Sequence, residues 1–495
     1  MKPRIWLLAL TILLGIGPEN IHADIVVVRL GDILIAMEGK VNNPKDRIIA
    51  VTHEKFRKGA DGRDLKLNLY FRNNRELLSI QDMIIVPSRK TEFQNRFNKA
   101  QKGNAGDRMD LAHWAVTHGM VAEFYRAIEL VLQAEPENAK AKEVLALRDR
   151  LAPAIADSTA EQKFLSDMLG SGMKFKTSSH YIVAYDTTDN KAQERLDLLE
   201  RVYETFFMFF AIKGRVLDKP QQRMMVALFN DHKNYLEFST RLDPELKSAA
   251  GYWSPESNVA VFFAQGTYPS FKRLKDSSEQ LEKDRKEAER LRLPDRGDLV
   301  RLADAVKLLM MVSEENEDIE VVTHEGTHQL AGNSGLFPRR IRIPKFAQEG
   351  LAAFFEAPND ATWSGVGAVN QNRIEWYRAL AQHDRVHSNI DFIVSDQVYS
   401  HTGGVGSNIM HAYGQAWGLT HFLVDKHFNE LNEYWKNLAR LPADMIISES
   451  DLVHCFDVAF GKDRSKLDLE WRRHMDNLKT DMDRLQEQYG DKLRG

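Results

Sequence analysis

The sequence predicts an α+β protein assembled from several units, and three features predict it. Residues 24–90 hold short β-branched runs that alternate with polar residues and are separated by turn signals. From 96 to 155 the apolar period lengthens to that of a helix. From 174 onward strand-like and helix-like runs alternate, and residues 359–495 are helical in pattern. At 495 residues the chain is too long for one ordinary domain.

Composition narrows the partners. Charged residues are 28% and apolar ones 43%, as in a soluble globular chain and unlike a disordered or polytopic membrane one. Lys plus Arg is 67 against 71 Asp plus Glu, a formal charge of −4 that gives no reason to expect nucleic acid. The single Cys455 rules out an internal disulfide and Cys-based zinc sites, so any metal must be held by His and carboxylate.

Residues 1–23 read as a signal peptide. Lys2 and Arg4 precede an uncharged apolar run from Ile5 to Ile16, and Ala23 stands before Asp24. That run falls short of the roughly 20 residues that span a bilayer. Export follows, to a bacterial periplasm or envelope or beyond the cell, consistent with the lack of disulfides. Ile21 at the −3 position keeps an uncleaved signal anchor as the alternative, and only that case implies membrane contact.

Residues 24–90 form a small β-rich domain with strands at Asp24 to Leu30, Ile33 to Met37, Ile48 to Thr52, Leu65 to Phe71 and Asp82 to Pro87. Residues 96–155 form a helical connector resembling one tetratricopeptide helix pair, closed by Pro136, with His113 and His118 as surface or packing residues rather than ligands. In 174–270, Tyr181 to Tyr185, Met224 to Phe229 and Val259 to Phe263 are strands. An amphipathic helix from Ala192 to Phe210 and a short helix from Tyr235 to Thr240 accompany them, with a turn at Gly251 to Asn258. Residues 271–293 are a charged helical insertion laced with i,i+4 pairs. Residues 295–358 hold an apolar helix from Arg301 to Val312, then a helix from about Glu317 to Ala331 that Asp318 and Glu320 open and Gly332-Asn333 ends.

That last helix carries His324-Glu325-Gly326-Thr327-His328, an H-E-x-x-H motif. Positions i and i+4 lie one turn apart, so both imidazoles project to one side, as two nitrogen ligands of a zinc ion require. A composition like this one produces the pattern by chance in about 0.04 chains. Glu325 points roughly 100° away, toward a water rather than the metal. A catalytic zinc takes three protein ligands, and Glu349 is the candidate for the third. It lies in Pro344 to Glu356, a helix that starts with Pro at its first position.

H-E-x-x-H-Q followed about 20 residues on by E-G-x-A-x-x-x-E resembles the gluzincin metallopeptidases, especially the aminopeptidase N group. More closely, residues 174–488 resemble exported bacterial proteins with a peptidase MA-like domain. The resemblance implies a thermolysin/gluzincin-like catalytic domain, with a twisted sheet and active-site helix followed by a C-terminal helical subdomain over 359–495. It implies Zn2+ held by His324, His328 and Glu349, with Glu325 as general base and Glu356 supporting a ligand from behind. Tyr413-Gly414-Gln415-Ala416-Trp417 is similar to the gluzincin helix whose Tyr stabilises the oxyanion, with His411 as the weaker donor. His421 and His427 read as structural, Arg373 as a surface salt bridge in preference to a contact with a substrate carboxylate or carbonyl, and Gly403 to Gly406 as a flexible lead-in to the helix. The amine-anchoring G-x-M-E-N segment is absent, and Glu256 in Gly251 to Asn258 is a poor match for it. Gly326 inside the motif helix suggests close approach of a backbone or substrate.

The expected function is a zinc metallopeptidase acting on a peptide or protein. The alternatives are a non-catalytic envelope binding or scaffold protein on a zincin fold, and a zinc hydrolase of non-peptide bonds. Neither an oligomeric state nor a choice between endopeptidase and exopeptidase follows from these residues.

Overall fold

A computed structural model of the chain describes residues 24–488 apart from 31–32, 43–47, 58–61, 71–82, 157–158, 295, 401–407, 446, 481–482 and 485–486. The expected signal peptide and the Gly403 to Gly406 segment lie outside the described residues. The architecture is mixed α+β. Among the described residues no helix is long and apolar enough to cross a membrane.

The first sheet contains β1 (Asp24–Leu30), β2 (Ile33–Asn42), β3 (Ile48–His53), β4 (Lys66–Tyr70) and β5 (Met83–Val86) in the order β4-β3-β2-β1-β5, all antiparallel. Val26, Met37, Ile49, Val51, Leu65 and Leu67 make one buried cluster with Leu308, far along the chain. This sheet therefore buries its apolar face on the long helix that carries the H-E-x-x-H motif.

Four helices follow, more than the single pair expected: α1 (Arg89–Ala100), α2 (Ala105–Thr117), α3 (Val121–Ala134) and α4 (Ala139–Leu151). Ser88 and Asn138 cap α1 and α4, and a reciprocal Asn104–Asp107 capping box opens α2. His118 stacks on Trp114 at 4.2 Å and bonds the Trp114 carbonyl through Nδ1 at 2.7 Å, a packing role as expected. The helix α5 (Thr159–Leu169) leads to the second sheet.

That sheet has β6 (Lys174–Thr177), β7 (Tyr181–Tyr185), β8 (Met224–Phe229), β9 (Tyr252–Ser254) and β10 (Val259–Phe263) in the order β6-β7-β8-β10-β9. The central three are parallel and buried throughout, which explains their near-continuous apolar sequences. Alternate residues serve two cores. Tyr181, Val183, Val226 and Phe262 join the main core with α6 (Asp189–Ile212), while Ile182, Ala227 and Val261 pack with Leu165 of α5 and Tyr235 of α7 (His232–Leu242). The segment expected to be only a turn holds β9, the antiparallel edge strand, with the turn confined to the residues after Ser254.

The insertion is a helix, α8 (Lys272–Leu291), whose Arg285 bonds Glu282 and Glu289 and whose Ala288 is buried. The two helices expected between 301 and 331 are one: α9 (Arg296–Asn333), 38 residues and about 57 Å long. Its acidic middle resembles a helix start, but tertiary partners hold it inside the helix. Arg195 of α6 grips Glu315 through two bonds at 2.7 and 2.8 Å and reaches Asp318 at 2.7 Å, while Lys55 beyond β3 meets Glu315 at 2.5 Å. The first half of α9 carries the N-terminal sheet, and the second half carries the motif.

Then come α10 (Lys345–Phe355), with Pro344 as its N-cap, and the hairpin β11 (Pro358–Asn359) and β12 (Thr362–Trp363). The rest is helical: α11 (Gln371–His383), α12 (Ile390–Val394), α13 (Gln397–Ser400), α14 (Asn408–Lys426), α15 (Phe428–Leu438), α16 (Glu449–Phe460) and α17 (Arg464–Asn477). Trp417, Trp435 and Trp471 are buried in its core.

Candidate metal centre

Two helices bring the motif residues together. His324 and His328 lie one turn apart on α9, their ring centroids 4.9 Å apart. Glu349 of α10 places Oε2 at 3.1 Å from His324 Nε2 and 3.5 Å from His328 Nε2. One donor atom from each of the three lies within 4.8 Å of the others, the only such group of three or more among the described residues. Two imidazole nitrogens and one carboxylate oxygen are a fitting donor set for zinc.

Glu356 stands behind His324, not beside Glu349. Its Oε2 accepts from His324 Nδ1 at 2.7 Å, so the ring turns Nε2 toward Glu349. Exposure separates the two carboxylates: Glu349 is 22% exposed and the two His 12%, whereas Glu356 is 0%. A carboxylate fixing the far nitrogen of a ligand His sets its tautomer and orientation.

A buried arginine makes that support possible. Arg373 of α11 donates from Nε to Glu356 Oε1 and from Nη2 to Glu356 Oε2 at 3.1 Å and Glu320 Oε1 at 3.0 Å. Asn370 adds a bond to Glu356 Oε1 at 3.1 Å. The expected surface salt bridge at Arg373 is therefore wrong, because its side chain is only 7% exposed. Glu320, expected near a helix start, is mid-helix one turn before His324 and on the same face. Burial, and then the charge of Glu356, push its pKa up to about 7. That i−4 spacing was the available signal for its involvement.

Glu325 lies beside the triad and faces the Trp253 backbone of edge strand β9, which favours its charged form. Burial raises its pKa above the ordinary carboxylate value, partly offset by His324 and His328. Burial also opposes charge on Glu349, but His328 and His324 outweigh it and hold that carboxyl well below its ordinary value.

Tyr413, on α14, packs edge-on to His324 with ring centroids 6.3 Å apart, and the Arg373 guanidinium lies 5.4 Å from its ring centre. Tyr399 of α13, which the sequence reading missed, packs 6.2 Å from Tyr413, and its buried hydroxyl has no hydrogen-bond partner among the described residues. No local motif marks it. His411 turns away, its Nδ1 3.1 Å from the Trp376 carbonyl oxygen. His421 Nδ1 meets His474 Nε2 at 3.0 Å, and His427 meets Glu470 at 3.5 Å.

Residues 318–444 match the model of a family described as a protein of unknown function, DUF1570. The matched segment spans His324 through Tyr413, including Glu349, Glu356 and Arg373, but neither the edge strand β9 nor Arg195 of α6. No curated protein and no solved structure matches the chain.

Glycines decide how closely the helices approach. A methyl group at Gly350, next to Glu349, would stand 2.6 Å from the Ala416 carbonyl oxygen and collide with Thr420 of α14. Gly326 faces Leu199 of α6 rather than substrate, and a methyl there would meet only the tip of that leucine, at 3.0 Å. Gly350→Ala is expected to cost about 1–3 kcal/mol by overpacking against backbone. Gly326→Ala gains up to about 1 kcal/mol of helix propensity against a movable side chain. Denaturant midpoints of the two variants check this, and equal losses would contradict it.

Outside the triad, the N-terminal sheet holds the hairpin that follows Glu356. The Glu38 backbone N–H donates to Asp360, His53 Nε2 lies 3.2 Å from Asp360 Oδ1, and Lys55 Nζ reaches the Ala361 carbonyl at 3.4 Å. Asp360 and Ala361 both adopt positive φ, 50° and 57°, a turn that these contacts offset.

Proposed function

We propose that the chain is a zinc-dependent hydrolase, and specifically a metallopeptidase of gluzincin type. The observation that carries this reading is the His324, His328, Glu349 donor set with Glu356 behind His324 and Glu325 beside it. A zinc ion held there supplies the positive charge that polarises a carbonyl and acidifies water. The Glu325 carboxylate takes the proton of the attacking water and returns it to the leaving nitrogen. Tyr413 donates its phenolic O–H to the oxygen that gains charge as the carbonyl becomes tetrahedral. Glu356 and Arg373 hold the His324 ring in place throughout.

Peptide is favoured as substrate by the sheet edge. Strand β9 ends its sheet, so an extended chain can add beside it, next to Glu325. The sequence resemblance to exported proteins with a peptidase MA-like domain supports the same reading.

Metal content tests it directly. The purified chain is expected to hold about one zinc per molecule, and a peptide-library digest should stop when a chelator removes it and resume when zinc is restored. A chain that holds no zinc, or cleavage indifferent to the chelator, would overturn the assignment in favour of a binding or scaffold role.

A further inference from the structure

The segment joining the two ligand helices carries Arg339, Arg340 and Arg342. They line a cleft of about 680 Å³ that also includes His328 of α9 and Trp253 of edge strand β9. The indole of Trp253 rests on Gly332, where a methyl group would collide with it, and its Nε1 donates to Asn258 Oδ1 at 3.2 Å. The strand edge, the donor His328 and the arginine segment thus share one cleft.

The three arginines are not equivalent. Arg340 pairs with Asp444, whose backbone N–H donates to the Arg340 carbonyl at 2.8 Å. Arg339 reaches only the Pro255 carbonyl, at 3.4 Å, and Arg342 has no ionic partner among the described residues. Both are exposed. Glu256, also on the cleft wall, pairs with neither. Two guanidinium groups without a carboxylate therefore stand in the cleft that contains His328. A guanidinium presents a planar fork that matches a carboxylate, so this wall favours acidic side chains.

We infer that this cleft selects peptides carrying Asp or Glu close to the bond placed at His324, His328 and Glu349. The inference rests on the hydrolase reading for which bond lies there, but the charge preference is measurable without cleavage. The probes are two fluorescent peptides of equal length and matched apolar residues, one with several Glu and one with Lys at the same positions. Each is titrated into the zinc-loaded full chain carrying Glu325→Gln.

The acidic peptide is expected to bind at least tenfold more tightly at low salt, the preference shrinking as salt is raised. Adding Arg339→Glu and Arg342→Glu should reverse the order, with little change in melting temperature because both side chains are exposed. Equal affinities, a preference for the Lys peptide, or an acidic preference that survives the double reversal would overturn the inference. Zinc content and wild-type cleavage are read separately. Acidic binding that depends on Arg339 and Arg342, in a chain that cleaves nothing, keeps the acidic site and discards the hydrolase.

Discussion

Glu325→Gln is expected to retain about one zinc per chain while peptide hydrolysis falls by roughly 10²–10⁴-fold, the usual contribution of a positioned general base. Its carboxylate is not among the three donors that converge at the candidate site, so removing its charge leaves the donor set intact. Glutamine keeps the size and shape of the side chain, which separates loss of a base from loss of structure. Zinc analysis and single-turnover cleavage on the same preparation make the check. A variant as active as wild type would sink this mechanism, and loss of zinc would place Glu325 in the donor set instead.

The second large effect is expected at Arg373. Arg373→Leu leaves Glu356, fully buried, and Glu320 without their shared cation. Breaking a buried ion pair from one side costs about 3–5 kcal/mol, because the remaining charge stays desolvated. Glu320 already carries a raised pKa from burial, so removing the cation pushes it further toward the neutral acid. The loss should also reach the metal. With its anchor gone, Glu356 no longer holds His324 Nδ1 in a set orientation, and zinc affinity is expected to weaken about 10–100-fold. Thermal melts and a competitive zinc titration read the two effects independently. Lower stability with unchanged zinc affinity would make the network purely structural. Arg373→Lys is expected to rescue only part of the loss, since an ammonium cannot reproduce the fork to both carboxylates.

Much of this site was legible locally. His324, Glu325 and His328 were readable because helical spacing alone sets which side chains share a face. Glu349 was readable because the single Cys455 leaves only His and carboxylate as ligands, and an E-G pair follows in a helix-compatible run. Strands β7, β8 and β10 were readable because strands buried on both faces read as continuous apolar runs. Arg373 and Tyr399 were not assigned to the site, because nothing within a few residues of either reports its distant partners, and Glu320 offered only its i−4 spacing from His324. An exposed and a buried arginine look alike in sequence.

The break wrongly expected within α9 has the same origin. Ser313 to Asp318 carries four acidic residues, and local rules place such a run at a helix start. Arg195 from α6 and Lys55 from the loop after β3 pair with Glu315 and Asp318 in the helix interior instead. The sequence by itself determined the α+β class, the motif spacing and the candidate donors, all of which follow from periodicity and side-chain chemistry. The tertiary structure alone decided that one long helix joins the N-terminal sheet to the motif. It alone decided that Arg373 lies beneath the site and that three arginines line a cleft with His328. Those features depend on which distant charges share a low-dielectric interior or a common cleft, and chain order does not encode that.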